Sequence, residues 1–145
     1  MRIVIQRVKS AKVIVGSREH AVIECGLLCL VGFCDSDTFV DFEWAVNKIK
    51  KIKIFNNTSS LEDLGLDLMI VSQFTLFASI KKGTKPSWSK AASPELAEKL
   101  YNDFIKTCKK HGLNRLKTGV FGANMQIDLI NDGPLTLVID TKQKE

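Results

Sequence analysis

Few residues in this chain could do chemistry, and their spacing excludes most ready-made catalytic templates. Hydrolases that form an acyl intermediate place a nucleophile beside a general base, most often histidine. The sequence holds two histidines, His20 and His111. His20 stands among charged residues in a stretch that reads as a hairpin turn. His111 follows Lys109 and Lys110 at a helix end, where the dipole favours a cation. No G-x-S-x-G elbow, H-E-x-x-H zinc helix, G-x-x-x-x-G-K-[ST] phosphate loop or G-x-G-x-x-G turn occurs. The cysteines, Cys25, Cys29, Cys34 and Cys108, form no C-x-x-C pair, and three lie in or beside an apolar run. They read as reduced, buried thiols rather than zinc ligands. The sequence thus predicts no metal and no cofactor. Carboxylate pairs are spatial, and none is singled out. Any catalytic power must come largely from placed backbone dipoles, from the substrate's own groups, or from both.

Two polar segments and a group of lysines remain. Ser72-Gln73-Phe74-Thr75 closes an apolar strand with three side chains whose polar groups need partners or solvent. Such groups line a pocket or lie on an alternating surface strand, and chemistry alone leaves both open. Asn131-Asp132-Gly133-Pro134 is equally open, because a plain β-turn accounts for it. The lysines fall into three groups: Lys48, Lys50, Lys51 and Lys53; Lys81, Lys82 and Lys85; Lys106, Lys109 and Lys110. Grouped lysines suit a polyanionic partner. The first and third groups are equally the solvated faces of amphipathic helices, whereas the middle group sits on a loop.

The elements that must position these residues follow from periodicity. Residues 2–8 and 11–15 alternate apolar and polar, joined at Lys9-Ser10, and a turn at 16–20 leads to a strand over 21–24. The apolar run 25–34 reads as a buried strand. Asp35, Ser36 and Asp37 are N-cap candidates for a helix with apolar residues at Phe42, Ala45, Val46, Ile49 and Ile52. A polar loop over 56–60 precedes a strand over 66–76, and 77–93 is a loop. Ser93-Pro94-Glu95 starts a second helix, with Ala97, Leu100, Tyr101, Phe104, Ile105 and Cys108 on one face and Gly112 at its end. Strands over 121–130 and 135–140 follow, separated by a tight turn at 131–134. The expectation is one α+β domain over residues 1–145, mainly antiparallel sheet with two amphipathic helices.

At 145 residues, 45% hydrophobic and 26% charged, the chain is neither disordered nor fibrous and has the length of one domain. The apolar run 25–34 is about half of what a membrane span requires. The N-terminal segment alternates from the start and lacks the features of a secretory signal, so a cytoplasmic location is expected.

Taken together, these segments resemble the signatures of the D-aminoacyl-tRNA deacylase family, first known as D-tyrosyl-tRNA deacylases. The resemblance covers nearly the whole chain in five ordered blocks: Met1-Arg2-Ile3-Val4-Ile5-Gln6-Arg7-Val8; Val71-Ser72-Gln73-Phe74-Thr75-Leu76; Lys82-Gly83-Thr84-Lys85-Pro86-Ser87-Trp88; Thr118-Gly119 through Met125; and Asn131-Asp132-Gly133-Pro134-Leu135-Thr136. It implies a homodimer that hydrolyses the ester of D-aminoacyl-tRNA, and of glycine on a non-cognate tRNA. In it, Gly133-Pro134, with a cis peptide bond, reaches into the partner's pocket and excludes L side chains. Arg7 and Asn131 would support that motif. Ser72, Gln73 and Phe74 would form the floor under the ester. Thr75 is the one hydroxyl often proposed as a nucleophile, but no base stands near it in the sequence, and the family is held to use the 2′-hydroxyl of the terminal adenosine. Phe121, Gly122, Ala123 and Met125 would surround the adenosine, with a core role for Phe121 and Met125 left open. Lys81, Lys82 and Lys85 would meet phosphates of the acceptor end.

The sequence departs from the family's pattern in three places: a shortened 56–66 stretch, Val120 where a basic residue is frequent, and Asn124 where aspartate is common. A nucleic-acid-binding module that kept the fold without the activity would share the basic loop but would not need a chiral gate. A metabolic α+β protein with coincidental motifs would not show five ordered blocks.

Overall fold

The computed structural model describes residues 1–144. The N-terminal alternation forms one strand, β1 (Arg2–Val15), rather than two joined at Lys9-Ser10. It stays continuous because both its edges are paired. One edge runs antiparallel to β6 (Met125–Asp140) along its whole length; the other pairs first with β3 (Gly26–Gly32) and then with β2 (Arg18–Ile23). Val8 pairs with Asn131 and Ser10 with Ile130, so β1 carries one extra residue at Lys9. A one-residue bulge turns every later side chain to the other face. Accordingly Ile3 and Ile5 enter one core, and Ala11 and Val13 enter another.

The sheet runs β2-β1-β3-β4-β5, with β6 on the remaining edge of β1. It is mixed: β4 (Asp67–Ser72) lies parallel to β3, and β5 (Leu116–Thr118) parallel to β4. Buried on both faces between β1 and β4, β3 can be apolar throughout. Leu27, Cys29, Val31, Leu68 and Ile70 face the helices, while Leu28, Met69 and Val71 face a second core closed by strands alone.

Helix α1 (Phe39–Lys51) starts one residue beyond the expected caps, at Thr38. Asp41 closes it by accepting from the Thr38 N–H at 2.8 Å and the Thr38 hydroxyl at 3.1 Å. Asp37, a residue expected to cap, is instead buried against the Met1 ammonium. Helix α3 (Pro94–Lys110) has Ser93 as N-cap, accepting from the Leu96 amide. The one-turn helix α2 (Leu61–Leu64) and the three-residue β5 were not anticipated, being too short to show a period.

The largest departure is β6. The sequence predicts two strands and a turn at 131–134, but the chain does not reverse, and both halves pair with β1 in the same direction. Gln6 pairs with Thr136 and Val8 with Asn131. Five steps on β6 thus match two on β1, and the surplus of three residues bulges out around Gly133-Pro134, whose peptide bond is cis.

Asp41 also ties the segment after β6 to α1, because Lys142 Nζ lies 2.7 Å from its carboxylate. Burial pushes this carboxyl up, but hydrogen bonds from Lys142, Thr141 and Thr38 outweigh it and hold the acid well below its ordinary value. A depressed carboxyl adds stability that is present above the unfolded pKa and lost as pH falls through the folded one. We expect Asp41→Asn to cost about 1–2 kcal/mol at pH 7 by urea unfolding. That difference should shrink as pH drops below about 3.9, and a pH-independent difference would contradict the assignment.

Candidate active site

Parallel strands β3 and β4 end side by side, and a cavity of about 1130 Å³ opens beyond their carboxyl ends. Its floor is the polar segment after β4. The Gln73 N–H donates to the Val31 carbonyl at 2.7 Å, which fixes the segment against β3. The strand expected to run to Leu76 stops at Ser72, and Phe74–Phe77 form a 3₁₀ turn. Gly32 makes this approach possible, since a Cβ there would stand 2.7 Å from the Gln73 carbonyl oxygen and 3.2 Å from Leu76 Cβ. At the far end of the turn, Arg2 donates to the Leu76 carbonyl at 3.0 Å. Its guanidinium lies 4.7 Å from the centre of the Phe77 ring, and Nε bonds Asp140 at 2.9 Å.

Ser72, Gln73 and Phe74 line the cavity; Thr75 does not. The Gln73 side-chain amide donates to the Thr75 hydroxyl. The amides of Phe74 and Thr75, the first two of the turn, have no backbone acceptor among the described residues, as helix-start N–H groups do not. No lining residue is titratable. His20 is exposed on β2, and His111 pairs with Glu43 at 2.7 Å between the helices. What the floor offers is dipoles.

The facing wall carries Phe121, Gly122, Ala123 and Met125. Phe121 both lines the cavity and packs on the helix-side core, its ring 5.7 Å from that of Tyr101, whose hydroxyl donates to the Ile70 carbonyl at 3.0 Å. Burial pushes the Tyr101 phenol up to about 12, which keeps it a neutral donor. Met125 is anchored on the strand-only core. Its sulfur accepts from the Val120 N–H at 3.4 Å and sits where a Cβ on Gly119 would come within 2.6 Å.

Sequence reasoning missed Gly32, Phe33, Trp88 and Ser93, along with Ile14 near the end of β1 and the β1–β2 turn at Gly16 and Ser17. These converge only through tertiary pairing. Trp88 alone carried a local signal, an aromatic in a basic polar loop.

Gly133, Pro134, Arg7 and Asn131 do not line this cavity. Arg7 braces one side of the bulge, with Nε 2.9 Å from the Asp132 carboxylate and Nη2 donating to the Gly133 carbonyl at 3.1 Å; Nη1 donates to the Ile54 carbonyl after α1. Gln6 braces the other side, its amide donating to the Leu135 carbonyl at 3.2 Å and accepting from the Thr136 hydroxyl. Lys81, Lys82 and Lys85 are exposed and do not line the cavity; they lie on the loop that also carries the lining residue Trp88.

Fold and site define a small α+β domain with one dipole-lined, charge-free cavity and a separate, rigidly braced backbone projection. Residues 4–140 match the family described as D-Tyr-tRNA(Tyr) deacylase. The chain is 45% identical to a D-aminoacyl-tRNA deacylase of Flavobacterium johnsoniae, covering all of both chains. It is 48% identical to one of Cytophaga hutchinsonii, covering 98% of each. A solved structure described as c-Myc DNA Unwinding Element Binding Protein superposes with a TM-score of 0.90 at 35% identity, covering 97% of this chain and 98% of that one. The chain belongs to the D-Tyr-tRNA(Tyr) deacylase family.

Because Gly32 sets the floor, Gly32→Ala should cost about 1–3 kcal/mol, a fall in Tm of about 2–10 °C by calorimetry. An unchanged Tm would show that the contact is not limiting.

Proposed function

We propose that this protein hydrolyses the ester joining a D-amino acid, or a misattached glycine, to tRNA. The single observation that carries the mechanism is a cavity with the free Phe74 amide on its floor and no titratable side chain, in a member of this family. The terminal adenosine packs against Phe121, Gly122, Ala123 and Met125. The ester carbonyl lies over Ser72, Gln73 and Phe74, where the free Phe74 amide stabilises the developing oxyanion. A water oxygen bonds the carbonyl carbon, the bond to the ribose 3′ oxygen breaks, and free amino acid and tRNA leave. The adenosine's 2′-hydroxyl assists the proton transfers, a task no lining side chain is equipped for. Thr75, whose hydroxyl already accepts a bond and has no base in reach, shapes the turn.

Chirality is read by a second copy of the chain. Among the described residues β6 has one edge that pairs with no strand, and it carries Ile130, 61% exposed, and Val138, 72% exposed; long bare edges of this kind call for a cover. In the homodimer, Gly133-Pro134 of one protomer enters the other's cavity. Its carbonyls accept from the substrate's ammonium and leave no room for an L side chain. A carbonyl has two lone pairs, so Gly133 can serve the substrate while bonded to Arg7. Asn131 and Arg7 hold the projection, with Gln6. Lys81, Lys82 and Lys85 contact acceptor-end phosphates. No helix among the described residues is long and apolar enough to cross a membrane, and the reaction places the protein with the tRNA pool in the cytoplasm.

Purified protein should release tyrosine from D-tyrosyl-tRNA and leave L-tyrosyl-tRNA intact; no release from either sinks the proposal. Thr75→Val should retain activity within about tenfold, whereas D-tyrosyl-tRNA ending in 2′-deoxyadenosine should react at least about 100-fold more slowly. The opposite pattern would make Thr75 the nucleophile. Arg7→Lys keeps the charge but loses the fork, and should narrow the D-to-L ratio of kcat/KM while leaving cavity binding of adenosine unchanged.

A further inference from the structure

The loop between the 3₁₀ turn and α3 is pinned at its base. Ser79 and Ser87 exchange backbone bonds of 2.9 Å each, and the Ala91 amide donates to the Trp88 carbonyl at 2.9 Å. This fixes the backbone at Trp88 beside the cavity, which Trp88 and Phe74 both line. The two rings meet edge to face at 5.3 Å, yet Trp88 is 42% exposed and Phe74 55%. Two adjacent aromatic rings left this open at a cavity rim mark a contact surface rather than core.

The segment that carries both rings has charge of one sign only. Residues 68–94 contain no Asp or Glu, while Lys81, Lys82, Lys85 and Lys90 lie within them. None of these four makes an ion pair among the described residues, unlike Lys50, Lys53 and Lys142. An aromatic face flanked by unpaired lysines is how proteins hold single-stranded nucleic acid without reading its sequence. The cavity, about 1130 Å³, also exceeds the usual small-ligand range of about 300–1,000 Å³.

We infer that Trp88, backed by Phe74, is a stacking platform for the base of the nucleotide preceding the terminal adenosine, so that the site grips two successive nucleotides of the unpaired acceptor end. This rests on the reading that the cavity receives the terminal nucleotide. Stacking accepts any base, so the platform contributes grip and not sequence preference.

The test uses intrinsic fluorescence in a Trp44→Phe background, where Trp88 is the sole indole. The dinucleotide CpA should quench it, UpA should quench it equally, and AMP or an abasic-A dinucleotide should not. On D-tyrosyl-tRNA, Trp88→Ala should raise KM about tenfold, the loss expected for one base stack, with kcat within about twofold, and Trp88→Phe should restore most of the loss. Equal quenching by AMP and CpA, or an unchanged KM in a folded Trp88→Ala protein, would overturn the inference. Quenching by CpA in a protein that releases no D-tyrosine would keep the platform and sink the esterase. Release of D-tyrosine with no quenching by CpA would do the reverse.

Discussion

Both edges of β1 are hydrogen-bonded, one to β6 over its full length and the other to β3 and then β2, and this double pairing sets the geometry of the site. On one side it places β3, whose end at Gly32 receives the Gln73 turn. On the other it takes up fewer residues than β6 supplies, which forces the surplus out as the Gly133-Pro134 projection. A bulge left to itself would be a mobile loop. Here Gln6 and Arg7, adjacent on β1, bind its two shoulders through their side chains. Cavity floor and projection are therefore referenced to one strand, yet within a protomer they share no lining residue.

Their separation makes physical sense of a site without charges. A titratable base in the cavity would need burial and a partner to hold its protonation state. A floor of amides needs neither, because its dipoles are fixed by the backbone path and do not reorganise as charge develops. The same logic extends to the proposed selection: a carbonyl pair on a braced backbone would discriminate by shape, and shape is rigid only if the brace is. On the proposed reading the lysines outside the cavity have a different task, since exposed cations attract phosphate at long range without specifying a base.

The sequence made the long amphipathic elements legible, because their periods are strong: β3, α1 and α3 are where the apolar spacing places them, and β1 merges the two alternating stretches into one strand. It misled at Asn131 to Pro134, since those four residues satisfy turn chemistry and only the partner strand reveals that the chain runs on. It misled similarly at Phe74 to Leu76, where an apolar pattern suited to a strand folds into a 3₁₀ turn because Gln73 is tied to Val31 and Gly32 leaves room. The first and last signatures were legible as residues but not as neighbours: that Arg7 touches Gly133 is visible only once β1 and β6 are paired. Gln6 and Gly32 each act through a tertiary contact that no local pattern marks, whereas Trp88 stood out locally as an aromatic in a basic loop.

The central claim is that one protomer's cavity works with the other's projection, and mixed dimers test it most directly. Gly133→Trp blocks the projection and leaves the cavity; Ala123→Trp fills the cavity and leaves the projection. Each homodimer should be inactive on D-tyrosyl-tRNA. A heterodimer carrying one substitution per subunit would pair one intact cavity with one intact projection across the two-fold axis, and should recover about half the wild-type rate. A heterodimer as inactive as its parents would show that projection and cavity act within a single chain, and would contradict the account.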